Sequence, residues 1–153
     1  MQMRPNIKVD ANSLKKTLAE LQKFGKESER VISEVTQGAA NDIRDKAMSN
    51  VRGYGNLVTN AVGNIVVEQT ATGGSYYTIN AQGVPMAAYF EFGTGAFVEV
   101  ADEWKGLAWE FYVNGKGSLQ PHPFLYPAFR DVRITYQKTL EKAIDILTKR
   151  YSV

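Results

Sequence analysis

Cysteine is absent from the chain, and histidine occurs only once, as His122. The lack of thiols excludes cysteine nucleophiles, disulfide bonds and cysteine-ligated zinc. Any base–nucleophile pair that depends on histidine would have to use His122, which lies between two prolines with no acidic residue near it in sequence. A structural or surface role is therefore the simpler interpretation of this histidine.

Long apolar runs are also missing. No stretch approaches the roughly 18 to 20 apolar residues that a membrane-spanning helix needs. The first ten residues contain Arg4, Lys8 and Asp10 rather than an apolar signal region, so nothing in them indicates secretion. The sequence predicts no membrane partner and fits a protein made in the cytoplasm.

The 153 residues, 44% of them hydrophobic, suffice for one packed domain spanning residues 1–153. The net charge of +2 is too small to indicate a nucleic-acid-binding protein by itself. Its distribution is uneven, because residues 53–120 carry two basic and six acidic side chains, whereas residues 121–153 carry six basic and three acidic ones. This asymmetry either orients neighbouring copies in an assembly or is ordinary solvated surface.

Two amphipathic stripes at helical spacing lie in the N-terminal and C-terminal parts of the chain. The first predicts a helix that begins near Asp10, Asn12 or Ser13 and ends near Met48, either continuous or broken near Gly25. Its apolar residues are Leu14, Leu18, Leu21, Phe24, Val31, Ile32, Val35, Ala39, Ile43 and Ala47. The second predicts a last helix with Pro127 in its first turn. Its apolar residues are Phe129, Val132, Tyr136, Leu140, Ala143, Ile144, Leu147 and Tyr151.

Between the stripes, β-branched and aromatic residues alternate with glycine-rich turns. Residues 49–60 are predicted to be a loop. The predicted strands are residues 57–70, 76–80, 87–92 and 108–113, with Tyr77 and Ile79 on one face of the second strand. The sequence therefore predicts an α+β fold: an amphipathic N-terminal helix (or two), a small antiparallel sheet of about four strands with long loops, and a C-terminal helix packed on the sheet.

Two patterns in the middle of the chain raise the question of catalysis. Acidic side chains cluster at Glu91, Glu99, Asp102, Glu103 and Glu110, and paired carboxylates serve glycoside hydrolysis or hold divalent cations. Their spacing does not match a calcium-binding loop, so a solvated acidic loop is the simpler interpretation.

The glycines around Thr94 lack the lysine of a phosphate-binding loop, since the next lysine is Lys105. The aromatic residues of the middle region are not interleaved with basic ones, which favours core or interface packing over nucleic-acid stacking. We predict no enzyme, no cofactor and no metal site.

Two sequence blocks carry a family resemblance. The first is Tyr89-Phe90-Glu91-Phe92-Gly93-Thr94, and the second is Pro121-His122-Pro123-Phe124-Leu125-Tyr126-Pro127-Ala128. With these blocks in this order between two helices, the sequence resembles the head–tail joining (tail-completion or neck) family of long-tailed double-stranded DNA phages and prophages. A third family element departs more from the pattern, because Tyr54, Val58 and Asn60 replace the threonine, arginine and serine expected there.

The resemblance implies a non-enzymatic virion protein at the head–tail junction, assembled in the bacterial cytoplasm. Its expected partners are other copies of itself in a ring, the head connector or stopper protein, and the tail tube or tail terminator protein. DNA is expected to pass nearby without tight binding. The alternatives are a tail terminator or minor tail protein and, from another class, a small metal-dependent hydrolase that uses the acidic loop.

The resemblance also implies which residues matter. The family-motif residues are Tyr89, Glu91, Phe92, Gly93, Thr94, Pro121, Pro123, Phe124 and Pro127, and the loops expected to contact partners carry Tyr54, Asn56, Phe97, Glu99 and Trp104. For Glu91 three roles stay open: capping backbone N–H groups, pairing with a base on an adjacent subunit, or facing solvent from an edge strand. Gly93 is expected to permit a sharp turn that Thr94 hydrogen-bonds.

Overall fold

The computed structural model of the chain describes residues 10–70, 75–83, 86–94 and 119–152. These residues form the helices α1 (Ala11–Gly53), α2 (Asn56–Val62), α3 (Met86–Phe92) and α4 (Leu125–Tyr151) and the strands β1 (Ile65–Gln69) and β2 (Tyr77–Ala81). The predicted α+β class is confirmed. The predicted strand at residues 108–113 and the loop residues Phe97, Glu99 and Trp104 lie outside the described residues.

Helix α1 is continuous over 43 residues, which decides between the two predicted alternatives. It begins where the Asp10 carboxylate accepts hydrogen bonds from the backbone N–H groups of Asn12 and Ser13, at 3.3 and 3.0 Å. Gly25 does not break it, because a glycine costs only about 1 kcal/mol and the helix around it is long and packed over much of its length.

Helix α4 lies antiparallel to α1. Asn50 near the end of α1 contacts Phe124 at the start of α4, while Glu27 of α1 bonds the Tyr151 hydroxyl at the end of α4, at 2.6 Å. The prediction that the C-terminal helix packs on the sheet is wrong, because the main contact of α4 is with α1. Both helices carry an apolar stripe, and α4 packs against the part of α1 between Glu27 and Asn50.

The strands β1 and β2 form an antiparallel two-stranded sheet in the described residues, with Ile65 opposite Ala81 and Gln69 opposite Tyr77. The predicted face of the second strand is confirmed, because Tyr77 and Ile79 are half-buried while Thr78 and Asn80 are exposed. The predicted turn between the strands lies mostly outside the described residues.

Two short helices replace predicted loop and strand segments. Residues 49–60 are not a loop: α1 continues to Gly53, Tyr54 and Gly55 make the link, and α2 follows. The strand predicted at residues 57–70 is limited to β1, because residues 56–62 form α2, whose Val58 and Val62 lie one turn apart and enter the core. Two β-branched residues spaced by four suit this helix as well as a strand.

The strand predicted at residues 87–92 is wrong as well, since these residues belong to α3. Its buried residues are Ala87, Phe90, Glu91 and Phe92, and the first three are spaced by three and four, which is helical spacing. In so short a segment the same pattern also fits a strand. The residues at its start, Met-Ala-Ala, favour a helix.

A core cluster of the described residues lies where α1, α2, α3, β1 and the start of α4 meet. Its buried members are Ile43, Ala47, Val51, Val58, Val62, Ile65, Ala87, Phe90, Phe124 and Ala128. Every member of α1 in this cluster comes from its C-terminal part. In the N-terminal part of α1, Leu14, Leu18 and Leu21 of the predicted apolar stripe are between 51% and 59% exposed.

Replacing Gly25 with alanine should raise the free energy of unfolding by about 0.5 to 1 kcal/mol. A Cβ atom at Gly25 would have no heavy atom within 4 Å, so only the helix propensity changes. Gly55→Ala is the matched opposite case, because Gly55 has φ of 95° and alanine is strained there. Thermal unfolding of both variants checks this, and a shift of the same sign in the two would contradict it.

Candidate functional site

The two sequence blocks that carry the family resemblance meet at the N-terminus of α4. We call this contact between residues 89–94 and residues 119–126 the clasp. One carboxylate oxygen of Glu91 accepts hydrogen bonds from the backbone N–H groups of Phe124 and Leu125, at 2.8 and 2.9 Å, and the other oxygen accepts from Tyr126, at 2.8 Å. Glu91 is only 7% exposed, so these bonds are shielded from water.

Helix α4 has no side-chain cap from its own first residues, because its N-cap position is occupied by Phe124. The first N–H groups of a helix lack partners within the helix, and the helix dipole favours negative charge there. Glu91 therefore supplies from α3 the cap that α4 lacks. The first of the roles left open for Glu91 is confirmed within the chain, and the edge-strand alternative is wrong.

Gly93 and Thr94 make the other contacts of the clasp, with Leu119. Gly93 has φ of 75°, as its predicted turn required, and a Cβ atom there would lie 2.9 Å from the carbonyl oxygen of Leu119. The backbone N–H of Thr94 donates to the Leu119 carbonyl at 2.9 Å, and the Thr94 hydroxyl accepts from the Leu119 N–H at 2.8 Å. Two hydrogen bonds therefore join Thr94 to Leu119, although 24 residues separate them in sequence.

His122 is part of the clasp and packs between aromatic rings. Its backbone N–H donates to the carbonyl of Phe90 at 2.6 Å, and its ring meets Tyr54 and Phe90 edge to face, with ring centroids 5.0 and 6.0 Å apart. Its Nδ1 lies 2.8 Å from the carbonyl oxygen of Gln120. A carbonyl only accepts, so this nitrogen carries the proton. These contacts agree with the structural role expected for His122.

The end of α1 holds the proline block from the other side. The Asn50 amide donates to the Phe124 carbonyl at 3.0 Å, and the Tyr54 hydroxyl donates to the Pro123 carbonyl at 3.1 Å. Phe124 itself is 2% exposed and belongs to the core cluster. Pro127 lies in the first turn of α4, as predicted.

The structure therefore brings the family-motif residues together. Those that lie in the clasp or in the turn beside it are Tyr89, Glu91, Phe92, Gly93, Thr94, Pro121, Pro123, Phe124 and Pro127. Tyr54, predicted to contact partners from a loop, instead contacts the clasp while remaining 41% exposed. Asn56 is exposed at the start of α2.

Sequence reasoning missed Asn50 and Leu119 as clasp residues. Asn50 lies in the segment predicted to be a loop. It follows Ile43 and Ala47 by seven and three residues, however, and so continues their helical stripe. Leu119 contributes only backbone hydrogen bonds and a half-buried side chain, which leave no pattern in the sequence.

The polar groups of the clasp are engaged with one another and with the backbone, so the arrangement fixes the chain in place. In the part of the chain that the structure describes, no cluster of three acidic, histidine or cysteine side chains could hold a metal ion. Within the same residues, no helix is both long and apolar enough to cross a membrane. Comparisons of the chain with known protein families, with curated proteins and with solved structures gave no match.

Proposed function

We propose that this chain is a structural neck protein of a long-tailed phage, one subunit of a ring that joins the head connector to the tail tube around the DNA path. The observation that carries the proposal is the clasp. The two blocks on which the family resemblance depends are separated by 26 residues in sequence, yet the buried carboxylate of Glu91 in the first accepts three backbone hydrogen bonds from the second.

The clasp gives this role a physical mechanism. Residues 95–118 lie in sequence between Thr94 and Leu119, and these two residues are joined by two hydrogen bonds. Glu91, close to Thr94 in sequence, hydrogen-bonds the start of α4, and α4 packs on α1. A force that the head or the tail exerts at Thr94 and Leu119 is therefore passed on to the two long helices.

The charge distribution supports contacts between copies more than contacts with DNA. The acidic middle of one copy and the basic C-terminal residues of the next attract each other, which orients neighbours in a ring. A net charge of +2 supplies few phosphate contacts, so we expect weak and strongly salt-dependent DNA binding. Tight binding in moderate salt would contradict this part of the proposal.

Disrupting the gene in its phage tests the proposal. We expect filled heads and separate tails to accumulate in the lysate, with infectious titre restored when the native gene is supplied from a plasmid. Particles seen by electron microscopy with tails attached to filled heads in the absence of the protein would refute the proposal.

A density map of the complete virion separates the neck from the alternative location in the tail. We expect density for this chain between the connector and the first ring of the tail tube. Density along the tail or at its far end would favour a tail terminator or minor tail protein instead.

A further inference from the structure

An open apolar groove of about 510 Å³ lies between α1, β2 and α4. Its apolar lining includes Ile43 of α1, Ile79 of β2, and Phe129 and Val132 of α4. Phe129 is 39% exposed. A cavity of this volume with an apolar lining is of the size that binds large apolar groups.

The hydroxyl groups that line the groove are hydrogen-bonded within the chain. The Tyr77 hydroxyl lies 3.0 Å from the Ser33 hydroxyl, and the Tyr136 hydroxyl lies 3.1 Å from that of Thr36. Arg133 lies at the rim, and among the described residues it has no ion pair. The groove therefore offers apolar and aromatic walls beside one available cation.

We propose that this groove binds residues 95–118 of a second copy of the chain. Both tryptophans of the protein, Trp104 and Trp109, belong to this segment. Its other aromatic residues are Phe97, Phe111 and Tyr112, and its acidic residues are Glu99, Asp102, Glu103 and Glu110. Aromatic rings beside carboxylates are the chemistry that an apolar groove with a cationic rim complements.

The charges agree with this assignment. The segment has four acidic and two basic side chains, whereas α4 has six basic and three acidic ones. The groove and the segment are two different surfaces of the same chain, so their contact is head-to-tail and closes a ring when the rotation between copies permits. The choice of a second copy as the occupant rests on the proposed function, which requires identical subunits to contact each other.

Two complementary variants test the inference with full-length protein. Phe129→Glu places a charge in the groove and leaves the segment intact, whereas Trp104→Ala combined with Trp109→Ala removes both tryptophans and leaves the groove intact. By sedimentation velocity, we expect the native chain to associate as its concentration rises and each variant alone to associate at least about tenfold more weakly.

An equimolar mixture of the two variants should form a dimer and stop there, because only one pair of intact surfaces remains. Tryptophan emission should shift to shorter wavelength on mixing, since both fluorophores come from the copy whose own groove is blocked. Ile134→Glu is the matched control, because Ile134 is 59% exposed on α4 and does not line the groove. This control should associate like the native chain.

Three results would overturn the inference. The first is a native chain that stays monomeric up to its solubility limit, and the second is a Phe129→Glu variant that associates like the native chain. The third combines two observations: the mixture remains monomeric, and the tryptophan emission of monomeric Phe129→Glu differs from that of the native monomer. Together they would place the segment in the groove of its own copy. Loss of the inference leaves the neck proposal standing, because that proposal is tested on phage particles.

Discussion

Glu91→Gln should lower the free energy of unfolding by about 2 to 4 kcal/mol, because the variant loses a charge-assisted cap inside the fold. The native carboxylate accepts three backbone N–H bonds at 2.8 to 2.9 Å in a site that is 7% exposed. An amide has one oxygen instead of two, so its NH₂ group would face the N–H of Tyr126 or of Phe124 and Leu125. The negative charge that favours the start of α4 is lost as well.

Chemical denaturation of Glu91→Gln measures the effect, and Glu141→Gln is the matched control. Glu141 is exposed on α4, the helix that Glu91 caps, so its change should be within about 0.5 kcal/mol of zero. For a chain of this size the midpoint of thermal unfolding should fall by roughly 5 to 15 °C in the Glu91 variant. Equal stability of the two variants would show that the three hydrogen bonds do not hold α4 in place.

Gly93→Val should lower the free energy of unfolding by about 2 to 4 kcal/mol. Two costs add at this position. The φ of 75° is a conformation that β-branched residues rarely adopt, and a Cβ atom would lie 2.9 Å from the Leu119 carbonyl oxygen and 3.0 Å from Cδ of Pro121. The variant must open the clasp or distort the turn that closes it.

The control for this variant is Gly38→Val in α1. A Cβ atom at Gly38 meets no heavy atom within 4 Å, and valine is slightly better than glycine in a helix. Hydrogen exchange at the amides of Thr94 and Leu119 should accelerate in Gly93→Val and stay unchanged in Gly38→Val. Native-like protection at both amides in Gly93→Val would contradict the prediction.

The clasp shows how far residue types alone lead. The turn at Gly93 and the first-turn position of Pro127 follow from local properties of glycine and proline, and these predictions are confirmed. Thr94 was predicted to hydrogen-bond its own turn, but its hydroxyl accepts from Leu119, which is 25 residues away in sequence. The role of Glu91 stayed open among three alternatives, because its partners lie 33 to 35 residues away in sequence. No local pattern encodes which helix terminus a distant carboxylate reaches.

The same contrast applies to the helices and strands. The long amphipathic stripes of α1 and α4 and the alternation in β2 were sufficient to predict these elements, because each repeats its period several times. The seven-residue helices α2 and α3 were predicted as loop or strand. Over so few residues, apolar side chains at helical spacing also fit a buried strand, and packing against the core decides.

By itself the sequence determined the α+β class, the two flanking amphipathic helices, the glycine turn at Gly93 and the proline entry to α4. These features depend on backbone preferences and on periodic burial, which act over a few residues at a time. Only the tertiary structure decided that α4 lies on α1, that Glu91 caps α4 and that a groove remains beside β2. The reason is physical: an apolar stripe fixes which face of a helix is buried, but the surface that covers it, and any gap left uncovered, depend on the shapes of all elements packed together.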